Sequence, residues 1–463
     1  MTLVAGVDSS TQSCKVVVCE ADSGAIRAQG SAPHPDGTEV DPEAWWQALT
    51  TAGAGLLGNV AALAIAGQQH GLVALDAHGR PVRDALLWND TRSADAATAL
   101  IAELGGPQAW AEAMGSRPVA AFTVAKLRWL ADHEPELADR THTVLLPHDY
   151  LTWRLRGAGD EPTTDRGEAS GTGYWSPASG EYREDLLALA FRDRRPRLPR
   201  VLGPAEPAGR TPGGVLVAAG TGDNAAAALG LGLEPGEVVV SLGTSGTVFA
   251  RTGGPSADSS GAIAGFASAT GDFLPLVCTL NAARVLTSAA DLLGVGLDRL
   301  EQLAARTEPG AGGLVLIPYL TGERTPDLPH ATGSLHGLRP GTMRPANLAR
   351  AAYEGMLCHM ADALDHLRAG GVAAERVLLI GGAARSPLVR TLAAQIFDIP
   401  ISVPEPAEYV ALGAARQAAW ALAGTAEPPP WPTPVVAEIP VPQRNPGPEI
   451  RARFRAARES AHS

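Results

Sequence analysis

Cysteine is scarce in this chain of 463 residues, which contains only Cys14, Cys19, Cys278 and Cys358. Four cysteines in so long a chain do not make a disulfide framework, and the lack of a C-x-x-C pair argues against a zinc site. An apolar run long enough to cross a membrane is absent, and the first residues, MTLVAGVDSS, lack the pattern of a signal peptide. We therefore expect a soluble, cytoplasmic protein with no membrane partner.

A basic surface is lacking as well. Acidic residues outnumber basic ones by 49 to 37, the formal net charge is −12, and lysine occurs only at Lys15 and Lys126. Without a basic block, nucleic acid is a poor partner for this chain. Apolar residues make up 45% and charged residues 19% of the sequence, which excludes a disordered or fibrous chain. The length predicts two or three domains.

Two stretches of the chain share the pattern of a β-hairpin. In the first, the apolar strand Leu3–Val7 ends at Asp8, and a polar turn leads to the strand Lys15–Cys19. The other joins Val238–Leu242 to Thr247–Phe249 through a glycine-rich turn. The two hairpins lie about 235 residues apart and suggest a duplicated architecture.

Strand and helix patterns alternate along the rest of the chain and predict an α/β fold. The most regular segments are strands at Ala61–Ala66, Val215–Ala219 and Val377–Ile380 and helices at Phe122–Leu130, Arg344–Arg368 and Pro387–Phe397. After Trp420 the sequence becomes rich in proline, which is typical of a linker or surface strap, before a short arginine-rich helix. We place the domains at residues 1–232 and 233–425, followed by a proline-rich tail at 426–463.

The turns of both hairpins are rich in glycine, serine and threonine. Such turns direct successive backbone N–H groups into one concavity, which favours phosphate. Asp8 is either a turn-capping residue or a carboxylate that holds a phosphate-bound Mg²⁺. Lys15 could reach a phosphate, although an exposed strand lysine has the same pattern. The loop Gly381-Gly382-Ala383 precedes a helix, whose N-terminus favours anions, but it is neither a complete dinucleotide motif nor a P-loop.

Three further loops carry polar side chains after strand-like segments. In Gly220-Thr221-Gly222-Asp223-Asn224, the carboxylate of Asp223 either caps a helix or takes the proton of an acceptor hydroxyl in phosphoryl transfer. Gln68-Gln69-His70 and Trp88-Asn89-Asp90 place hydrogen-bonding side chains beside a glycine or an aromatic ring. That mixture suits a site for a sugar or another polyol.

Taken together, these motifs resemble the FGGY family of carbohydrate kinases, in the family's order and over nearly the whole chain. The resemblance rests on Asp8 to Lys15, Gly67 to Gly71, Trp88 to Asp90, Gly222 to Asn224, Ser241 to Gly246, Gly322 to Pro326 and Gly381 to Ser386. It implies two actin-like, ribonuclease-H-like α/β domains that flank a deep catalytic cleft. The N-terminal domain would bind the sugar and the C-terminal domain MgATP.

The resemblance also implies roles for individual residues. Asp223 matches the general base, and Asp8 matches the acidic residue close to Mg²⁺ and the phosphates. The residues that match sugar contacts are Gln69, His70, Trp88, Asn89, Asp90 and Asn224. Those that match ATP contacts are Thr11, Gln12, Ser13, Lys15, Gly243, Thr244, Ser245, Gly246, Gly381, Gly382 and Ala383. Lys126, Glu323 and Arg324 could form interdomain salt bridges or belong to the site, and we favour a structural role.

Within the family, the motifs are most similar to those of members that convert D-xylulose and ATP into D-xylulose 5-phosphate and ADP. A sugar, ATP and Mg²⁺ are thus the implied partners, and a homodimer is possible. The nearest alternative is an FGGY kinase for ribulose, gluconate, fuculose or glycerol, because pocket residues from one sequence discriminate substrates poorly. An actin-like ATP switch would need an added peptide-binding domain, and an NAD-binding protein would need a G-x-G-x-x-G motif.

Overall fold

The computed structural model describes residues 1–159 and 161–461, which group into two compact units. The first unit combines Met1–Leu233, Thr252–Leu274 and Ala407–Pro432. The second combines Glu234–Arg251, Pro275–Pro406 and Thr433–Ser463. The domain limits drawn from the sequence, 1–232, 233–425 and 426–463, stay predictions. None of the helices in the described ranges has the length and hydrophobicity that crossing a bilayer requires.

Strands and helices alternate through residues 1–233. The strands are β1 Leu3–Ser9, β2 Ser13–Glu20, β3 Ile26–Pro33, β4 Glu39–Val40, β5 Ala62–Gly67, β6 Val73–Leu75, β7 Ala85–Leu86, β8 Thr143–Leu145, β9 Thr163–Asp165, β10 Trp175–Ser176, β11 Glu181–Tyr182, β12 Arg200–Leu202, β13 Pro207–Arg210, β14 Leu216–Ala218 and β15 Thr221–Gly222. The helices are α1 Pro42–Ala52, α2 Ala94–Glu103, α3 Pro107–Met114, α4 Thr123–His133, α5 Pro135–Arg140, α6 Pro147–Leu155, α7 Arg166–Ser170, α8 Glu184–Ala190 and α9 Asp223–Leu231.

The same alternation continues to the end of the described chain. The strands there are β16 Glu237–Leu242, β17 Gly246–Ala250, β18 Ala264–Ala267, β19 Phe273–Thr279, β20 Val315–Ile317, β21 Ser334–His336, β22 Arg376–Ile380, β23 Ile401–Pro404 and β24 Val435–Ile439. The helices are α10 Ala283–Leu293, α11 Leu297–Ala305, α12 Pro345–Ala369, α13 Pro387–Phe397, α14 Tyr409–Ala423 and α15 Gly447–Ala461.

The central sheet of the first unit has the strand order β13-β14-β5-β1-β2-β3, with β15 also beside β5. The hairpin β1–β2 is antiparallel, whereas β5 runs parallel to β1 and to β15. In this register Ala66 of β5 lies opposite both Asp8 and Thr221. Because parallel strands end at the same edge of a sheet, the residues that follow β1, β5 and β15 come together there.

The sheet of the second unit repeats this arrangement, with the order β19-β17-β16-β22-β23-β24. The hairpin β16–β17 is antiparallel, and β22 runs parallel to β16 with Ser241 opposite Ile380. The turn after β16 and the loop after β22 therefore lie at one edge of the sheet. A hairpin with a parallel strand beside its first strand occurs in both units, as the duplicated pattern predicts.

The predicted regular segments are confirmed, and the proline-rich stretch differs from its prediction. That stretch contains the strand Val435–Ile439, which pairs antiparallel with β23 at the edge of the sheet. Proline lacks the N–H that a sheet ladder needs, but the five residues between Pro434 and Pro440 are free of proline and complete an edge strand. The terminal helix is also longer than predicted, with 15 residues.

Helix α14 packs against both elements that carry an acidic residue of the candidate site. A Cβ added at Gly413 of α14 would overlap the carbonyl oxygen of Ala226 in α9, and one at Gly6 of β1 would overlap that of Ala411. Glycine at both positions lets the backbones approach closely. As a result, α14 fixes the strand that ends near Asp8 relative to the helix that begins at Asp223.

Candidate active site

Asp8 lies buried at the end of β1, with 5% of its surface exposed. Its Oδ1, the Oγ of Ser9 and both amide atoms of Gln68 are buried and have no hydrogen-bond partner among the described residues. Burial and the nearby carboxylate of Asp223 raise the pKa of Asp8 to about 7. Buried polar atoms without partners are costly unless something pairs with them, so this cluster is suited to a polar ligand or a cation.

Asp223 begins α9, directly after β15. Its Oδ1 accepts hydrogen bonds from the backbone N–H of Asn224 at 2.7 Å and from the Asn224 Nδ2 at 2.8 Å. Burial nevertheless raises the pKa of Asp223 to about 6. A carboxylate that titrates near neutral pH is matched to the work of a general base. Asn224, predicted to contact the sugar, also orients this carboxylate.

Buried polar groups hold the loop that leads to Asp223. The Thr221 hydroxyl donates to Asp165 Oδ2 at 2.8 Å, and the Gln417 amide of α14 donates to the Gly220 carbonyl at 2.9 Å. His148 Nε2 lies 3.1 Å from the Ala219 carbonyl. Sequence reasoning missed Asp165, His148 and Gln417, because each acts across a long stretch of chain. The available signal was limited to Gln417, whose polar side chain lies in an alanine-rich segment.

Glu168 of α7 is the most unusual of the residues that sequence reasoning missed. It is fully buried, and neither carboxyl oxygen has a hydrogen-bond partner in the described part of the chain. A Cβ added at Gly222 would lie 2.7 Å from Glu168 Oε1 and 3.0 Å from Gln69 Nε2, so both side chains pack on Gly222. Burial, together with Asp165, Asp149 and Asp223, raises the pKa of Glu168 well above its ordinary value. Burial and the neighbouring carboxylates thus favour the protonated form of this carboxyl group.

His70 adopts a constrained conformation beside Gln69, with φ at 69°. Its Nδ1 lies 2.7 Å from the Gly171 carbonyl, and its ring stacks on Phe122 with the centroids 4.7 Å apart. A left-handed backbone is uncommon for a residue other than glycine and is frequent at functional sites. The loop after β5 thus holds Gln69 and His70 at the same sheet edge as Asp8 and Asp223.

The three predicted residues Trp88, Asn89 and Asp90 have different surroundings. The indole N–H of Trp88 donates to Thr11 Oγ1 at 2.8 Å, which ties a predicted sugar contact to the first hairpin turn. Asp90 accepts from the Thr38 hydroxyl and from Arg92 at 2.8–3.0 Å, so its carboxylate already has protein partners. Asn89 Nδ2 lies 3.4 Å from the Gly37 carbonyl.

The first hairpin turn is only partly exposed. Thr11 and Ser13 are half-buried, whereas Gln12 is exposed and its carbonyl accepts from the His34 N–H at 2.9 Å. Lys15 forms an ion pair with Glu408, Nζ to Oε2, at 2.6 Å. This lysine, which we predicted to contact ATP, thus has a carboxylate partner within its own unit.

In the second unit, the turn Gly243–Gly246 and the loop Gly381–Ala383 lie side by side. Gly381 has φ at +93°, and a Cβ added there would lie 2.6 Å from the backbone of Leu242, just before the turn. Gly381 and Gly382 are exposed. Two glycine-rich backbones at one sheet edge give a surface that phosphate and adenosine groups can approach closely.

The residues present fit a magnesium ion bound mainly through a substrate's phosphates. Among the described residues, no group of three or more His, Cys, Asp or Glu side chains could hold a metal by itself. Mg²⁺ commonly uses one or two carboxylates together with substrate phosphates and water. The buried Asp8 Oδ1, which has no hydrogen-bond partner among the described residues, could supply such a carboxylate.

Comparison with known proteins identifies the family. Residues 3–230 match the N-terminal domain, and residues 238–422 the C-terminal domain, of the FGGY family of carbohydrate kinases. The chain belongs to this family. A xylulose kinase of Streptomyces coelicolor is 50% identical to it over 439 residues, which cover 91% of this chain and 88% of that one.

Solved structures agree with this assignment. The crystal structure of a xylulose kinase from Bifidobacterium adolescentis has a TM-score of 0.91 and 43% identity and covers 99% of both chains. A gluconate kinase from Lactobacillus acidophilus, 20% identical, has a TM-score of 0.89 and covers 99% of this chain and 98% of that one, which shows the shared fold alone. The predicted family, the two-domain α/β architecture and the assignment as a carbohydrate kinase are confirmed.

Proposed function

We propose that this FGGY kinase transfers the γ-phosphoryl group of ATP to D-xylulose and forms D-xylulose 5-phosphate and ADP. The observation that carries the proposal is the 50% identity, over nearly the whole chain, with a relative named as a xylulose kinase. Fold alone cannot choose the sugar, because the family hosts several activities on one architecture. We also propose the cytoplasm, where ATP is available, as its location, and a homodimer stays a prediction.

Asp223 is the proposed general base. Its carboxylate accepts the proton of the sugar's 5-hydroxyl as that oxygen attacks the γ-phosphorus, and the phosphorus–oxygen bond to ADP breaks. Asn224 supports this role, since its two hydrogen bonds to Oδ1 orient the carboxylate. Gln69 and His70 lie at the same sheet edge and are the proposed contacts to the sugar hydroxyls, together with Trp88, Asn89 and Asp90.

The proposed ATP contacts lie in glycine-rich loops of the second unit and in a hairpin of the first unit. In the second unit, Gly243–Gly246 and Gly381–Ala383 offer N–H groups and close approach to the phosphates and the adenosine. In the first unit, Thr11, Gln12, Ser13 and Lys15 form the hairpin beside Asp8. Asp8 would hold Mg²⁺, directly or through water, and bound Mg²⁺ would neutralise negative charge on the phosphate oxygens.

A coupled assay of ADP release tests the proposal. MgATP is supplied with D-xylulose, D-ribulose, L-ribulose, gluconate, glycerol or no sugar, and mass spectrometry identifies the phosphorylated product. We expect strong and selective stimulation by D-xylulose. Selective stimulation by another compound would show that D-xylulose is not the substrate, but it would still agree with the proposed kinase mechanism. ADP release that no sugar changes would contradict both and favour an actin-like ATP switch.

A further inference from the structure

Glu323 lies in the second unit and is almost completely buried, with 1% of its surface exposed. Its Oε1 accepts hydrogen bonds from the backbone N–H of Leu280 at 2.6 Å and of Arg324 at 2.8 Å. Its Oε2 accepts from Asn281 Nδ2 at 2.8 Å and lies 2.9 Å from His359 Nε2. Both oxygens are thus fully used, which is an unusually complete set of partners for one buried carboxylate.

This carboxylate is charged despite its burial. Burial alone would raise the pKa of Glu323, but the hydrogen bonds from His359, Asn281 and Leu280 outweigh that effect and hold the pKa below its ordinary value. Hydrogen bonds to a charged acceptor are roughly twice as strong as neutral ones. Glu323 therefore ties helix α12, which carries His359, to the segment just after β19.

The segment that Glu323 holds is the one that contacts the glycine-rich turn. Directly after Leu280 and Asn281, the N–H of Ala282 donates to the Thr244 carbonyl at 3.1 Å, and that of Ala283 donates to the Gly243 carbonyl at 2.8 Å. Two consecutive carbonyls of the turn thus point at the start of α10. A single chain of hydrogen bonds runs from His359 through Glu323 to this turn.

The orientation of those carbonyls sets the orientation of the turn's N–H groups. In a planar trans peptide, the C=O of one residue and the N–H of the next point in opposite directions. With the Gly243 and Thr244 carbonyls directed at α10, the N–H groups of Thr244 and Ser245 point away from it. This is the arrangement that an anion-binding turn requires.

We propose that Glu323 is a positioning residue for nucleotide binding, because it orders the segment that aims the N–H groups of the Gly243–Gly246 turn at the phosphates of ATP. The inference rests on the proposed function, since it requires that turn to bind ATP. It changes the interpretation of Glu323 from the sequence, which favoured a structural role.

Glu323→Ala and Glu323→Gln test the proposal, because they remove different numbers of the hydrogen bonds that Glu323 accepts. Alanine removes all four hydrogen bonds. Glutamine keeps an acceptor for the Leu280 and Arg324 N–H groups but turns its own NH₂ toward the donors of Asn281 and His359. We expect Glu323→Ala to raise the Kd for MgADP, measured by calorimetry, and the KM for ATP by about tenfold, with a smaller rise for glutamine. The KM for D-xylulose should stay within about twofold.

Glu354→Ala and Glu354→Gln are the matched controls. Glu354 is also buried, lies on α12 and accepts from Gly310 N–H at 2.9 Å and from Arg350 Nε at 2.6 Å. Neither of these partners lies in the Gly243–Gly246 turn or in the segment beside it. We expect the Glu354 variants to lower the Tm while the Kd for MgADP stays within about twofold.

The outcomes separate the inference from the proposed function. A folded Glu323→Ala with the wild-type Kd for MgADP would overturn the inference, as would equal losses of affinity in the Glu323 and Glu354 variants. If alanine prevents folding, the Glu323→Gln and Glu354→Gln pair decides by the same criterion. The wild type could bind MgADP, and Glu323→Ala could weaken that binding, while the wild type phosphorylates no D-xylulose. This result would support the inference and refute the proposed sugar. A wild type that binds no MgADP would overturn both.

Discussion

The two hairpins have the same arrangement of strands but carry different side chains next to their turns. In β1–β2, Asp8 pairs across the ladder with Lys15, one position before the last paired residues at the turn. At the equivalent place in β16–β17, Ser241 pairs with Thr247. A pair of charged side chains in the first unit thus corresponds to a pair of hydroxyls in the second. The loops beside the hairpins differ in the same way, with Gln69 and His70 in one and Gly381 and Gly382 in the other.

This difference shows how one supersecondary arrangement can provide two candidate binding surfaces with different chemistry. We call the side chains at the strand ends of the first unit the side-chain half-site, and the turn Gly243–Gly246 with the loop Gly381–Ala383 of the second unit the backbone half-site. The first unit places acidic and amide side chains at the strand ends, which suits proton transfer and the recognition of hydroxyl groups. The second unit exposes backbone at the strand ends, which suits the binding of phosphate. The chemistry of the first half-site therefore depends on particular side chains, whereas that of the second depends on backbone shape.

Asp223→Ala should have the largest effect, because it removes the proposed base from the side-chain half-site. We expect kcat with D-xylulose to fall by about 100- to 10,000-fold, the usual contribution of general-base catalysis. Thermal unfolding and MgADP binding should stay close to wild type, since the backbone half-site is intact. Turnover at the wild-type rate would show that Asp223 is not the base.

The pH dependence should also differ between catalysis and nucleotide binding. Asp223, with a pKa of about 6, acts as a base only when it has lost its proton. We expect kcat/KM for D-xylulose to fall as the pH drops through about 6, approaching tenfold per pH unit. The Kd for MgADP should instead follow Asp8, the proposed Mg²⁺ ligand, and should rise as the pH falls through about 7, where that carboxyl gains its proton. A flat kcat/KM from pH 7 to pH 5 would contradict the assignment.

Gly381→Ala should damage the backbone half-site, and Gly382→Ala is its neighbouring control for stability. A Cβ at Gly381 would meet the Leu242 backbone at 2.6 Å and would require φ at +93°, whereas one at Gly382 has no atom within 4 Å. We expect Gly381→Ala to lower the free energy of unfolding by about 1–3 kcal/mol. For Gly382→Ala, urea titration should show a change of less than about 0.5 kcal/mol in the free energy of unfolding. Equal losses would contradict the steric argument.

Glu168→Gln should have the smallest effect and the most specific one. Burial raises the pKa of Glu168 in the folded chain above its value in the unfolded chain, so the wild type loses stability as the pH rises above the ordinary pKa of glutamate. Glutamine never ionises, so the variant should be more stable than wild type at pH 7, and the difference should shrink toward pH 4. The test compares the free energy of unfolding of the variant with that of the wild type at each pH. If the variant's advantage over the wild type were smaller at pH 7 than at pH 4, Glu168 would be charged in the folded protein.

Local patterns predicted much of this fold. The helix at Pro387–Phe397 has the bounds that the sequence predicts, and the helix expected at 344–368 spans Pro345–Ala369. Both hairpins follow from short apolar runs on either side of a polar turn. The motifs with Asp8, Gln69 and Asp223 lie at strand ends, as the sequence predicts, while the roles of these residues stay predictions.

The parts that the sequence did not predict depend on contacts between distant residues. Nothing near Gln417 indicates that it binds the Gly220 carbonyl, and Glu168 resembles an ordinary surface glutamate until α7 is seen to be buried. The pairing of Val435–Ile439 with β23 was hidden by the prolines around it. The sequence left the role of Glu323 open, because its link to the Gly243–Gly246 turn passes through residues 280–283, which are distant from it along the chain.

The proposed reaction can be tested most directly by the rate of ADP release from MgATP with and without D-xylulose, for the wild type and for Asp223→Ala. We expect a large stimulation by D-xylulose in the wild type, with D-xylulose 5-phosphate formed in equal amount to ADP. We expect Asp223→Ala to lose this stimulation. Equal rates with and without the sugar in the wild type, or a full stimulation in the variant, would contradict this proposal.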